Sequence, residues 1–384
     1  MKCTLINRIK PSGSVRLPPS KSEAIRAALL LALAGGDPEE AAAGFPAPFC
    51  ADLSRALEAA GDLRSAYVGE SAALMRFLIP IQAALFGRIS LRADEALLRR
   101  GFAEIEECLG TSLAPEPGTG LIEARAELEG TRFEIDCSRS SQFVSGLIMA
   151  LPLLPRECDI IIRNGLVSRP YADMTLRFVR LFGGRAEETA EGFRTYPSRY
   201  AVPERLLVAG DASLAAVYEA MDLMGGSVEI IGGGADTLQP DGAFGSFAGL
   251  DECDITDCPD LLPVLAACAC AKRGDTVIRG TRRLRTKESD REAGVVKLIN
   301  DLGGSARVGE NCVIVHGAGS LRGGDCGLLR DHRLAFAAAL AAMICDSPVT
   351  LRGAECVAKS APRFWEDYAE LTKGAVRREE EESE

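Results

Sequence analysis

Lys21, Arg26, Arg76, Lys287, Arg291, Arg333 and Lys359 all fall at or near the openings of segments that read as helices. The first turn of a helix already carries partial positive charge, so a cation there is disfavoured by roughly 0.3–1 kcal/mol unless something neutralises it. A bound anion reverses that sign. Free N–H groups at a helix start, joined by Lys or Arg, are how proteins hold phosphate and carboxylate. No GxxxxGK[ST] loop is present, and Gly232-Gly233-Gly234 after a strand-like run reads as a turn rather than a nucleotide cradle. Several helix starts from two lobes are therefore expected to converge on the anion in a cleft between them.

The elements that must position these cations repeat. Six Ala/Leu-rich segments each follow a short polar signature: Lys21-Ser22, Glu70-Ser71, Ser140-Ser141, Asp211-Ala212-Ser213, Pro259-Asp260 and Asp331-His332-Arg333. They are apolar nearly all round, which predicts buried helices. The Ser, Asp and Pro residues at their starts also suit ordinary capping and first-turn chemistry. Most lead into a β-branched strand, RISLRA, CDIIIRN, SVEIIGG, DTVIRG or PVTLRG, and several then enter a more polar second helix ending near Gly-Gly, as in MTLRFVRLFGG and REAGVVKLINDLGG. The first copy lacks a clear strand and the fourth a good second helix. Six imperfect units, three on either side of about residue 208, predict two pseudo-threefold lobes.

Composition narrows the function. With 384 residues and 47% hydrophobic content the chain can form two cored domains. No apolar run is long enough to span a membrane without a charge, and the first twenty residues lack a signal-peptide core, so a cytoplasmic protein with no membrane partner is expected. Thirteen cysteines without CxxC spacing read as reduced thiols, Cys268 and Cys270 in the core. Two histidines, His316 and His332, leave no histidine-rich metal site and make a Ser-His-Asp triad a poor reading. A net charge of −11 argues against nucleic acid. Salt screens long-range fields beyond roughly 8 Å, so a local basic pocket is compatible with an acidic chain.

In order along the chain, LPPSKSEAIRAALLLALAGG, SSQFVSGLIMALPLL, SRPYADMTLRFVRLFGG, CPDLLPVLAACA, LRTKESDREAG, DHRLAFAAALAA and ECVAKSAPRFWEDY resemble the EPSP synthases, the 3-phosphoshikimate 1-carboxyvinyltransferase family. Seven ordered blocks over nearly the whole chain are more specific than any single motif. The resemblance implies an α/β fold, a two-lobed inside-out α/β barrel. Each lobe has three βαβαββ-type units with buried helices and outer sheets. Residues 1–15 and 209–375 would form one lobe, 16–208 the other, and 376–384 a disordered acidic tail. It implies a monomer without metal or cofactor that moves the enolpyruvyl group of phosphoenolpyruvate to the 5-hydroxyl of shikimate 3-phosphate and releases phosphate, in the shikimate pathway of aromatic amino acid biosynthesis. Both substrates are multiply anionic, which would account for the cations.

Carried over by position, Ser22, Arg26, Ser140, Ser141, Ser168 and Tyr171 match residues that hold shikimate 3-phosphate, with Asp260, Arg283 and Lys287 beside them. Lys21 and Gln142 would touch both ligands. Ala72, Arg100, Arg291, Arg333 and Lys359 match the phosphoenolpyruvate set. Asp260 and Glu288 match the acid/base carboxylates, and Lys21 is a further candidate for proton delivery. Asp260 lies at a helix start, where ionisation is favoured and a base is suited. Capping alone would also account for Ser140 and Ser141, core packing for Tyr171, and a salt-bridged helix start for KESDR.

The match departs from the family in places. Ala72 and Ala73 stand where Gly and a hydroxyl residue are usual, so the Ala72 methyl should crowd the phosphoenolpyruvate pocket and reduce glyphosate sensitivity, and Ala72→Gly should raise it in a steady-state assay. Gly101 stands where Pro is usual, which leaves Arg99 as the alternative to Arg100. Arg283 replaces an Asn, and the stretch between Ala60 and Glu70 is short enough to have lost a hairpin. A sister enolpyruvyl transferase acting on UDP-N-acetylglucosamine is the first rival, but RADEALLRRGF lacks its loop cysteine. A catalytically inactive anion-binding relative is the second.

Overall fold

The computed structural model describes residues 1–233 and 238–379; Gly234 of the glycine run and residues 380–384 of the expected tail lie outside the described residues. The chain divides into two compact units, the first Met1–Pro18, Ala47–Cys50 and Ala209 onward, the second Pro19–Pro46 and Ala51–Val208.

In the second unit the six-copy pattern begins with Lys21–Ala34, capped by the Ser20 hydroxyl, which accepts from Glu23 N, and ended by Gly35 at φ 76°. The positive φ that stops this helix is open to glycine without steric cost. Two further buried helices follow, Ala72–Phe86 and Gln142–Ala150. Each is the crossover between parallel strands: Ala72–Phe86 joins Ala66–Gly69 to Arg88–Ala93, and Gln142–Ala150 joins Arg132–Asp136 to Cys158–Arg163. A parallel pair needs such a crossover, and an all-apolar helix supplies one that can lie on the sheet's inner face. The first copy has no strand among the described residues between Arg16 and Ala66; Lys21–Ala34 packs instead on Ala51–Gly61.

The first unit repeats this plan. Leu262–Ala271 connects Glu252–Asp254 to the parallel Arg273–Arg279, and His332–Ala342 connects Gly324–Leu328 to the parallel Val349–Arg352. All eleven residues of His332–Ala342 are buried. Ala212–Leu223 precedes Ser227–Ile231, which pairs in parallel with Ser12–Arg16. In place of a second helix the fourth copy has the 3-10 turn Pro240–Ala243 and the single turn Phe244–Phe247. Helices thus lie inside each unit and sheets outside. Every sheet is open, and no ladder closes into a barrel among the described residues.

Two expected boundaries move. Arg16 belongs with the first unit because it pairs with Ile231, and Leu17 N donates to Ile231 O at 2.9 Å. The tail does not begin at 376, since Val376–Glu379 is a strand antiparallel to Lys2–Leu5.

Candidate active site

In the first unit three carboxylates meet one guanidinium. Arg291 opens the helix Arg291–Asp301, and its side chain is 1% exposed. Its Nη1 donates to Asp260 Oδ1 at 2.6 Å, Nη2 to Glu288 Oε2 at 2.8 Å, and Nε to Asp331 Oδ2 at 3.0 Å. Arg333 Nη2 donates to the other Asp260 oxygen at 2.8 Å, and Lys359 Nζ stands 3.9 Å from Glu288 Oε1. Helix starts do the positioning. Asp260 lies in the 3-10 turn Pro259–Leu261 that leads into Leu262–Ala271, and Asp331 is the N-cap of His332–Ala342, accepting from Arg333 N at 3.0 Å.

Charge in this cluster is set by burial against pairing. Burial pushes the Glu288 carboxyl up, but Arg291, Lys359, His332 and Lys287 together hold it well below the usual carboxylate range. Asp331 is likewise lowered despite burial, chiefly by Arg291. Burial works against the Arg291 cation, yet Asp331, Asp260 and Glu288 outweigh it and raise its pKa. Lys287 goes the other way: burial lowers it to about 8, against the pull of Asp260 and Glu288. A lysine so placed gains most from an added anion.

The second unit holds the other set. Lys21 Nζ pairs with the buried Asp52 at 3.1 Å. Arg26 is buried and bonded through all three guanidinium nitrogens: Nε donates to Thr175 Oγ1 at 2.7 Å, Nη1 to Ser22 O at 2.7 Å, and Nη2 to Ser145 Oγ at 3.4 Å and Tyr171 O at 3.1 Å, with the Phe77 ring 4.8 Å away. Burial lowers its pKa to about 10. Gln142 accepts from Arg76 Nη1 at 2.6 Å, and its backbone N donates to Ser140 Oγ at 3.2 Å. Ser141 caps Gln142–Ala150 by position but not with its side chain. Ser168, at φ 51°, precedes Arg169–Leu181, which carries Tyr171. Ala72 is the first residue of its helix, after Ser71, which makes no side-chain cap.

Asp260, Glu288, Arg291, Arg333 and Lys359 are therefore bonded or paired to one another, with Lys287 in the same electrostatic cluster. Ser22, Arg26 and Tyr171 are bonded in the second unit, as are Ser140 and Gln142. Arg283 is turned to the backbone, donating to Thr256 O. Arg100 is not tied in: its side chain has no hydrogen bond or ion pair among the described residues, and Arg99 is spent on Glu95 at the surface. Sequence reading missed Asp331, Asp52, Thr175, Ser145 and Asp241. Asp331 had a signal, since it heads the Asp331-His332-Arg333 signature, but it read only as a cap. No group of three or more His, Cys, Asp or Glu side chains among the described residues is arranged to hold a metal, and no described helix is long and apolar enough to cross a membrane.

The sequence profile of the family described as EPSP synthase (3-phosphoshikimate 1-carboxyvinyltransferase) matches residues 52–247 and 244–368. The chain belongs to the EPSP synthase family. A 3-phosphoshikimate 1-carboxyvinyltransferase of Clostridium kluyveri is 30% identical, covering 97% of each chain, and one of Clostridium perfringens is 29% identical, covering 99% of this chain and all of that one. EPSP synthase of Acinetobacter baumannii has the same fold, with a TM-score of 0.76 at 19% identity over 98% of this chain and 99% of that one. The enolpyruvyl transferase NikO of Streptomyces tendae superposes with a TM-score of 0.70 at 16% identity over 98% of both. The fold is thus the two-lobed α/β fold of EPSP synthases, with helices inside each lobe.

Proposed function

We propose that the protein transfers the enolpyruvyl group of phosphoenolpyruvate to the 5-hydroxyl of shikimate 3-phosphate, releasing phosphate. The observation that carries this reading is the Arg291 cluster, in which the two expected acid/base carboxylates share one guanidinium, with Arg333 and Lys359 alongside. The hydroxyl oxygen bonds to C2 of phosphoenolpyruvate as its proton passes to Asp260, while C3 receives a proton for which Lys21 is the assigned donor. Loss of that tetrahedral adduct's phosphate and of a C3 proton restores the double bond. Neither stage needs a covalent bond to the protein. What the reaction needs is fixed positive charge beside carboxylate and phosphate and a base at the hydroxyl.

Asp260 is assigned the base. Arg291, Arg333 and Lys359 are assigned to phosphoenolpyruvate. Lys21, Ser22, Arg26, Ser140, Ser141, Gln142, Ser168, Tyr171 and Lys287 are assigned to shikimate 3-phosphate, Lys21 and Gln142 reaching both ligands. Glu288 is held ionised before substrates arrive, so it has no proton to give and is assigned to receive the one lost from C3. Arg26 acts through the Ser22 and Tyr171 backbone it fastens. The test is phosphate release from phosphoenolpyruvate in the presence of shikimate 3-phosphate. Wild type should turn over, Asp260→Ala should lose about 10²–10⁴ in kcat, and Glu288→Gln should lose a comparable factor. Unchanged turnover in both variants would remove the acid/base assignment, and no release by wild type would remove the activity.

A further inference from the structure

The helix start Asp211-Ala212-Ser213 is one of the six signatures in the sequence, and the proposed function gives it no task. Gln239 fastens the following segment to it: Oε1 accepts from Ala212 N at 2.8 Å and Nε2 donates to Gly210 O at 2.9 Å. Two residues on, Asp241 is 1% exposed, and Ser213 Oγ donates to its Oδ2. Its Oδ1 has no hydrogen-bond partner among the described residues. The charged groups that act on it are Asp260 from the turn Pro259–Leu261, Arg333 from His332–Ala342 and Asp211 from its own helix start; the Cys258 thiol beside them is neutral, pushed up by burial. Arg333 is itself 4% exposed, gives Nη2 to Asp260, and has no partner for Nε among the described residues. A buried acceptor and a buried donor of opposite charge, each left unsatisfied, therefore act on one another and on Asp260. Groups in that state are costly unless some state of the molecule pairs them.

We propose that Asp241 is a positioning residue for the transfer, the second counter-ion of Arg333, which holds that guanidinium when Asp260 turns to the substrate hydroxyl. The inference rests on the functional reading above. Asp260 spends one oxygen on Arg291 and the other on Arg333. To accept a proton, one of those oxygens must come free. When the hydroxyl proton moves to Asp260, that carboxylate becomes neutral and Arg333 loses the anion that fixes it. Asp241 supplies a replacement, no bond to it being made or broken, so Arg333 stays aimed at phosphoenolpyruvate. Burial and then repulsion from Asp260 push the Asp241 carboxyl up to about 6, while Arg333 and the Ser213 hydroxyl pull it back. It is charged at neutral pH and loses its charge just below.

The experiment is the pH profile of kcat for the full chain from about pH 5 to 8, with saturating substrates, for wild type, Asp241→Asn and Ser213→Ala. Wild type should show an acid limb near the Asp241 midpoint. Asp241→Asn should lower kcat about tenfold at neutral pH and shift or abolish that limb, with thermal midpoint as the folding control. Ser213→Ala removes a hydrogen bond to the ionised form, so it should move the limb to higher pH; it carries the test if Asp241→Asn does not fold. A wild-type limb preserved in an active Asp241→Asn, or unmoved in Ser213→Ala, would overturn the role alone. A wild type with no turnover would refute the functional reading and the role with it.

Discussion

Burial pulls the Lys287 ammonium down to about 8, so this residue is a cost to the empty protein and a gain once an anion arrives. Its folded pKa lies below the unfolded value of 10.5. Below 8 both states carry the proton and the burial penalty is present in full. Between 8 and 10.5 the unfolded chain binds more protons, so this group makes stability rise with pH across that window. Lys287→Met should therefore unfold at a higher temperature than wild type at pH 7 and lose the part of the pH slope above 8, read by thermal scans along a pH series. The same variant should raise KM for shikimate 3-phosphate more than it changes kcat. A variant less stable than wild type at pH 7 would show that Lys287 is already paid for by its neighbours. The position was legible in KESDR, but its low pKa was not, because burial arises from the surrounding fold.

The buried helices were legible from composition alone, and so were the strands that follow them: RISLRA became Arg88–Ala93 and CDIIIRN became Cys158–Arg163. What a linear pattern does not carry is which helix touches which, and at what point. Pro80 inside Ala72–Phe86 has no N–H to give to Arg76 O, four residues back. Gly146 of Gln142–Ala150 fits against that carbonyl: a Cβ there would lie 2.6 Å from Arg76 O, 2.7 Å from Pro80 Cγ and 3.1 Å from Phe77 Cα. Two of those atoms are backbone, so neither helix can yield by turning a side chain. Gly146→Ala should cost about 1–3 kcal/mol by overpacking. It should also disturb the Arg76–Gln142 bond, since the two crossing helices carry these residues. Thermal unfolding and KM for both substrates check this together. Unaltered values of both would mean that the crossing is looser than its geometry. The Arg26 socket was hidden for the same reason: Thr175 and Ser145 lie 149 and 119 residues away and become neighbours only through packing.

At the scale of the molecule, the threefold repeat and the break near residue 208 could be read from the chain, whereas the pairing of its two ends could not. Lys2–Leu5 lies between Val349–Arg352 and Val376–Glu379, and such long-range partners leave no periodic trace in sequence. The acidic run that follows reads as solvated, yet Ala375 O accepts from Ile6 N at 2.9 Å and directs the next four residues onto the sheet edge. Their charges suit that place. Arg377, Arg378 and Glu379 form an edge strand that discourages pairing with another chain. A chain ending at Ala375 should expose one side of Lys2–Leu5. Amides of that strand facing the lost partner should then exchange hydrogen faster, and the first unit should lose protection before the second, whose sheets share no strand with this one. Peptide-resolved hydrogen exchange on the full and shortened chains distinguishes the outcomes. Unchanged protection in Lys2–Leu5 would show that the C-terminal strand rests on the sheet without supporting it, whereas equal loss in both units would show that they unfold as one cooperative body.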